Sequence, residues 1–354
     1  MSTYTYQRLL KQKEADGYAG KSWRDWILSK AASRIYLTEA EGIQKATGVN
    51  LRKLWGMNMG ENLAYIRRKD MKSLRDIPES SDNSVIVVGG GPSIAIHHQL
   101  ETLRDSGFKG QIVTCDRMLI PLLKVGVVPN YVISVDGSPI ILDFFKHKLV
   151  KDNLDKIKIL VHIATYPTVT RYLYRNKAQV YWFLAHQIYC SEEAVENSDA
   201  IVTIAMTSTK DHIKGIQTLP AGGNVGVAAW AFAWVILHSK KVALIGFDMG
   251  YPEGTPLNKT YYYSTFLNAM QNASGRNTFA ALSAQIPYEK EYNSAWKSWT
   301  YTDQVFRSYA KIFYGFLDIT PKDVTTYSCV EGGALNHPKL KYLTLKQFLS
   351  ENPS

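Results

Sequence analysis

Residues 85–93 read Val85-Ile86-Val87-Val88-Gly89-Gly90-Gly91-Pro92-Ser93, four β-branched residues passing directly into a glycine turn. Such a run fits a fully buried strand, and the proline and serine behind it stand where a helix starts. A junction of strand, glycine turn and helix presents bare backbone N–H groups at a helix N-terminus, the arrangement by which α/β folds hold a phosphate. The expectation is a nucleotide-binding α/β protein, with the nucleotide and the reaction left open.

The bulk properties agree with that class. At 354 residues the chain can bury a large core, and its 45% apolar and 20% charged residues are those of a globular protein. No stretch reaches about 18 apolar residues without a charge, which argues against a membrane span. The first ten residues lack the apolar centre of a signal peptide, so a cytoplasmic location is expected. Cys115, Cys190 and Cys329 lie far apart, with no spacing that suggests zinc, and Cys115 ends an apolar run as a buried thiol would. The net charge is +10, and residues 1–80 hold 15 Lys/Arg against 9 Asp/Glu. That excess suits a solvated helical face. A dense basic patch interleaved with aromatics, as nucleic-acid binding requires, is missing.

Trp23, Trp26, Ile27 and Ile35, then Leu51, Leu54 and Trp55, recur at helical spacing, so residues 1–80 are expected to form a helical N-terminal region. The polar stretch 78–84 is expected to be a linker, with a second domain over 84–350. There, apolar runs at 85–88, 111–115, 131–135, 158–163, 179–183 and 241–246 alternate with amphipathic segments at 94–106, 117–125, 138–150, 224–238 and 303–316. This pattern predicts a Rossmann-like, doubly wound and mostly parallel sheet with helices on both faces. Ligands of such sheets sit beyond the carboxyl ends of the strands.

Three of those ends carry an acid: Asp116, Asp136 and Asp248. Taken singly, each also suits the start of a helix. Together at one edge they point to the crevice of Gly89–Ser93. Carboxylates beside a phosphate repel it unless a cation or a ligand's own donors lie between, so Mg²⁺ or ribose and base hydrogen bonds are the two explanations. Gly222-Gly223-Asn224 opens a further small-residue helix, as a tight turn or a second set of N–H groups.

These motifs occur in a recognisable order: Gly89-Gly90-Gly91-Pro92-Ser93, Cys115-Asp116-Arg117, Gly126 to Asp136, Gly222 to Gly226, and Gly246-Phe247-Asp248. The set resembles the MptE-like family, which includes archaeal 6-hydroxymethylpterin diphosphokinases, and equally the central domain of Maf flagellin glycosyltransferases. The first motif is similar to the turn of bacterial sialyltransferases that use CMP-sialic acid. At the C-terminus, Thr326 to Ala334 with its Glu331-Gly332-Gly333-Ala334 turn resembles the Maf type more closely. Phe247 departs from the polar residue common there.

The resemblance implies a transferase with a nucleotide-activated donor. On the Maf side this is a glycosyltransferase moving a nucleotide sugar, such as a CMP-nonulosonate, to a hydroxyl of a glycan, small molecule or protein. On the other side it is an ATP- and Mg²⁺-dependent pterin diphosphokinase, with Asp116 and Asp136 as metal ligands. A nucleotide-binding scaffold without catalysis is the third reading. Gly89, Gly90, Gly91, Pro92, Ser93, Asp116, Gly222, Gly223 and Asn224 are the expected nucleotide contacts, and Asp136, Asp248 and Glu331 the expected catalytic residues. Among the histidines, His97, His98, His162 and His186 follow apolar runs or the glycine turn. Tyr261, Tyr262 and Tyr263, with Trp296 and Trp299, mark 250–300 as a lid, an acceptor-binding insertion or an ordinary surface insertion.

Overall fold

Alternation within the apolar runs determines how the sheet is covered. In β2 (Ser84–Val88), Val85 and Val87 face one layer while Ile86 and Val88 face the other, and all four are buried. A computed structural model describes residues 53–78, 83–186, 216–255 and 289–352, with a few positions between 11 and 19. The strands are β1 (Lys72–Ser73), β2, β3 (Gln111–Cys115), β4 (Tyr131–Ser134), β5 (Lys158–His162), β6 (Gln179–His186), β7 (Thr218–Pro220), β8 (Lys241–Ile245), β9 (Tyr251–Pro252), β10 (Glu289–Asn293), β11 (Ser298–Thr302), β12 (Thr325–Ser328) and β13 (Leu340–Tyr342). Ten of them form one parallel sheet in the order β1-β6-β5-β4-β3-β2-β8-β12-β13, with β7 beside β6.

From β2 the chain steps outward through β3, β4, β5 and β6. After β7 it crosses to β8 on the other flank of β2 and continues to β12 and β13. The strand order therefore reverses between β2 and β8, and their carboxyl ends flank the crevice where doubly wound sheets bind ligands.

The helices are α1 (residues 53–66), α2 (Ser93–Ile96), α3 (Gln99–Asp105), α4 (Asp116–Lys124), α5 (Ile141–Phe145), α6 (Lys148–Lys151), α7 (Pro167–Arg175), α8 (Val225–Val235), α9 (Gln304–Ile319) and α10 (Leu345–Glu351). One face of the sheet packs on α8 and α9. The other packs on α3 and α10 near β2 and β8, and on α4, α5 and α7 near β4 to β6. From Gly226 to Val235 every residue of α8 is buried, as expected of a helix apolar all round. Trp230 anchors it: its Nε1 donates to Thr326 Oγ1 at 2.9 Å, and its ring meets Phe313 of α9 edge-on at 5.0 Å.

Two expectations change. The helix expected over 94–106 is two helices, because His98 adopts a left-handed φ of 48° and breaks the run. The helix expected over 138–150 likewise divides at Lys146–His147, where the His147 ring accepts from Leu149 N and starts α6. Ahead of β2, β1 pairs in parallel with β6, and α1 packs on the same core through Ile66. Trp23, Trp26, Ile27, Ile35 and Leu51 lie outside the described residues.

Two asparagines one helical turn apart dock α1 over the carboxyl edge. Asn58 Nδ2 donates to Gly137 O and Ala164 O, each at 3.0 Å, and Asn62 Nδ2 to Ile163 O and Thr165 O at 2.9 and 2.8 Å. Both side chains are buried. Asn62→Ala strips two buried carbonyls of their donor and is expected to lower the unfolding free energy by about 2 kcal/mol. Urea denaturation checks this, and an unchanged midpoint would show that α1 does not depend on the clamp.

Candidate functional site

Gly89–Ser93 leaves β2 beside the turn that leaves β8, and the two are bonded along their length. Gly89 N donates to Ile245 O at 2.8 Å and Gly91 N to Gly246 O at 2.9 Å. Ser93 N donates to Asp248 Oδ1 at 3.0 Å, and Ser93 Oγ to Asp248 Oδ2 at 2.8 Å. The glycines serve this close approach: a Cβ on Gly89 would lie 2.5 Å from Gly246 O, and one on Gly91 would fall inside the Asp248 carboxylate. Gly246 itself takes a left-handed φ of +69° against Gly89 O.

The expectation of a row of bare N–H groups is thereby corrected. Gly89, Gly91 and Ser93 spend theirs within the protein, and Pro92 has none. The N-terminus of α2 is already capped by a carboxylate. Gly90, exposed between its neighbours, is the member of the turn whose N–H is not committed to the β8 side. A Cβ there would meet nothing closer than Met118 Sδ at 3.7 Å.

Next along the edge, Asp116 begins α4 at the end of β3 and is buried. Its Oδ1 accepts from Arg117 N at 2.8 Å and its Oδ2 from Ser134 Oγ at 2.7 Å. Burial raises its pKa to about 6 against those bonds, with the neighbouring charge of Asp136 adding to the rise. Asp136, beyond the end of β4, is exposed, and its Oδ1 accepts from Ser138 N at 2.8 Å. Asp248 is buried, with both oxygens held by Ser93, and burial pushes it up to about 7. In this geometry Asp248 positions the glycine turn.

Asp116 and Asp136 thus stand on adjacent strands, with the glycine turn on the next strand and Asp248 on the one beyond it. Asn224 joins them from the opposite face at the start of α8. Its Oδ1 accepts from Gly226 N at 2.7 Å, and its Nδ2 lies 3.8 Å from Met249 Sδ. Gly222 is buried against α9, where a Cβ would meet Ile312 Cγ2 at 2.8 Å, while Gly223 is exposed. Both oxygens of Asp116 accept a hydrogen bond, and among the described residues no group of three or more His, Cys, Asp or Glu is placed to hold an ion.

Beyond β12, Glu331 adopts a left-handed φ of 58° and is half-buried. It shares a cleft with His97 and His98 rather than with Asp136. His162 ends β5, where burial lowers its pKa to about 4 and leaves it neutral at physiological pH. His186 closes β6.

Of the 250–300 stretch, the described parts form a small antiparallel sheet, β10-β11-β9, continuing through Thr302. It is stapled to the carboxyl edge: Asn293 Nδ2 donates to Gly333 O and Leu335 O, each at 3.0 Å, and Thr302 Oγ1 to Met249 O at 2.9 Å. Trp296 packs edge-on to Tyr342, while Trp299 is exposed and pairs across the strands with Tyr292 at 5.1 Å. Tyr261, Tyr262 and Tyr263 lie outside the described residues. Ser134, Asn293 and the two α1 asparagines escaped the sequence reading. Only Asn58 and Asn62 left a usable signal, two amides at i and i+4 on one helix face.

Residues 57–254 match the family model described as 6-hydroxymethylpterin diphosphokinase MptE-like. The chain belongs to the MptE-like family. Among solved structures it is similar to the Maf glycosyltransferase from Magnetospirillum magneticum AMB-1, at 12% identity and a TM-score of 0.54, over 92% of this chain and 48% of that one. The likeness shows a shared fold, and this chain spans less than half of that neighbour's length. No curated protein matches the chain.

The MptE-like match runs from α1 to just past the β8 turn, so it contains Gly89–Ser93, Asp116, Asp136, Asn224 and Asp248. It ends before Glu331 and the last two strands of the main sheet. Among the described residues, no helix of this MptE-like chain is long and apolar enough to cross a membrane.

Proposed function

We propose that this MptE-like chain is a transferase that moves a sugar from a nucleotide donor, of CMP-nonulosonate type, to a hydroxyl acceptor. Family membership and the fold shared with a Maf glycosyltransferase support a transferase-type function. The observation that carries the finer reading is the state of the carboxylates at the crevice. Asp136 presents an exposed carboxylate suited to accept from a ribose hydroxyl or the cytosine amine, beside a buried Asp116 that Ser134 and the Arg117 N–H hold in place. The donor phosphate lies over the N–H of Gly90 and the start of α8.

In the reaction the acceptor oxygen bonds to the anomeric carbon as the bond from that carbon to the CMP phosphate breaks. The electron pair leaves with CMP, and the acceptor proton passes to Glu331 as general base. Glu331 stands two strands from the glycine turn, about 10 Å at ordinary strand spacing, a span that leaves room for the transferred sugar.

Release of CMP from CMP-N-acetylneuraminate tests the reading. Asp136→Ala is expected to reduce release at least about tenfold, the effect of losing one hydrogen bond to a charged group, with the melting temperature unchanged. No release from any CMP-sugar would contradict it. So would AMP formation from ATP, Mg²⁺ and 6-hydroxymethylpterin, which belongs to the diphosphokinase reading with Asp136 and Asp116 at a metal. The description of the family model favours that second reading.

A further inference from the structure

The carboxyl end of β12 carries a cleft of about 200 Å³, separate from the β2–β8 crevice. It is walled by the α2–α3 junction, the Glu331 turn and the first turn of α10. Its polar lining mixes acceptors and donors: Glu331 from the turn after β12, Lys346 from α10, Thr102 from α3, and His97 and His98 at the α2–α3 junction. Gln99 is the telling member. It is 1% exposed, its Nε2 donates to Cys329 O at 2.6 Å, and its Oε1 has no hydrogen-bond partner. A buried amide oxygen left without a donor is costly, and in native proteins such an atom calls for a partner. His98 and Glu331, both in the lining of the cleft, are also two of the six described residues other than glycine with left-handed backbone, a conformation that clusters at functional sites.

We infer that this cleft is a carbohydrate subsite, holding the sugar that accepts the transferred group. The inference rests on the glycosyltransferase reading for the ligand's role, but not for its chemistry. Two acceptors, the Gln99 Oε1 and the Glu331 carboxylate, require hydroxyl or amide donors. Lys346 and Thr102 supply donors in return. A polyhydroxylated ring offers both kinds of group within a small volume. A fully ionised phosphate would offer no donor to the Gln99 Oε1 and would meet Glu331 with like charge. The segment 89–99 links the two sites directly, since it forms the glycine turn at one end and a wall of this cleft at the other.

The test is saturation-transfer NMR on the full chain, without nucleotide, using glucose, N-acetylglucosamine and N-acetylneuraminic acid as probes. At least one probe is expected to bind. Lys346→Ala, a change at an exposed side chain, and Glu331→Gln are each expected to weaken that binding about tenfold, as loss of a hydrogen bond to a charged group does. Lys346→Ala leaves a CMP-induced thermal shift in place. No binding by any probe, or binding that both variants leave unchanged, would overturn the subsite. Sugar binding without any response to CMP would leave the subsite standing and remove the donor reading, so the two failures are distinguishable.

Discussion

Asp248→Ala is expected to lower the unfolding free energy by about 3 kcal/mol, because it leaves both the Ser93 N–H and the Ser93 hydroxyl buried without a partner. Ser93 and Asp248 are 155 residues apart and both almost fully buried, so no water replaces the lost bonds cheaply. Asp248→Asn separates the bonds from the charge. Its Oδ1 still accepts from Ser93 N, and its Nδ2 donates to Ser93 Oγ in place of the lost acceptor. That variant should be at least as stable as the wild type at pH 8.

The pH dependence follows from the same burial. Asp248 at about 7 and Asp116 at about 6 both lie above the ordinary aspartate value of 3.8, so the folded state holds their protons more tightly than the unfolded chain. Their contribution to stability is complete below about pH 4 and is lost as the pH rises through 6 and 7. The difference in urea midpoint between Asp248→Asn and wild type should therefore grow in favour of the variant from pH 4 to pH 8. An asparagine variant as unstable as the alanine one would show that the turn needs the charge itself.

Gly91→Ala has an effect of similar size from the opposite cause. The added methyl overlaps the Asp248 carboxylate and lies 2.7 Å from Gly246 O, and both are fixed from β8. Relief requires the two turns to part, at about 3 kcal/mol or more. One residue earlier, Gly90→Ala meets nothing within 3.7 Å and should change stability by less than about 0.5 kcal/mol. Thermal melts of the two variants decide between a turn built for packing and one built for flexibility. Equal melting temperatures would rule out the packing role.

The central sheet was legible because its strands carry their own signal. Val85–Val88 and Val242–Ile245 are continuous apolar runs, and buried parallel strands have that pattern. β12, reading Thr-Thr-Tyr-Ser, and the two-residue β1 lack it, since they are short and rely on neighbours for their pairing. The break at His97–His98 was hidden by Ile94, Leu100 and Leu103, which keep one apolar face across two helices. At the site, the positions of Asp116, Asp136 and Asp248 were readable from the strand ends. What each does was not, because that depends on partners far away in the chain. Ser134 holds Asp116 and Ser93 holds Asp248, while Asp136 stays exposed. Glu331 was legible as an acid in a glycine turn, but its company of His97, His98 and Gln99 follows only from the stacking of α3 and α10 on β12.

Nucleotide binding at the crevice between β2 and β8 is tested most directly by thermal shift with CMP, CDP, UDP, ATP and GTP, each with and without Mg²⁺. A ligand at 100 times its dissociation constant stabilises a fold by about 2.7 kcal/mol, well within reach of the method. The expected result is a preference for the cytidine nucleotides that does not depend on the metal and is lost in Asp136→Ala. A shift confined to ATP with Mg²⁺, or no shift with any nucleotide, would contradict it.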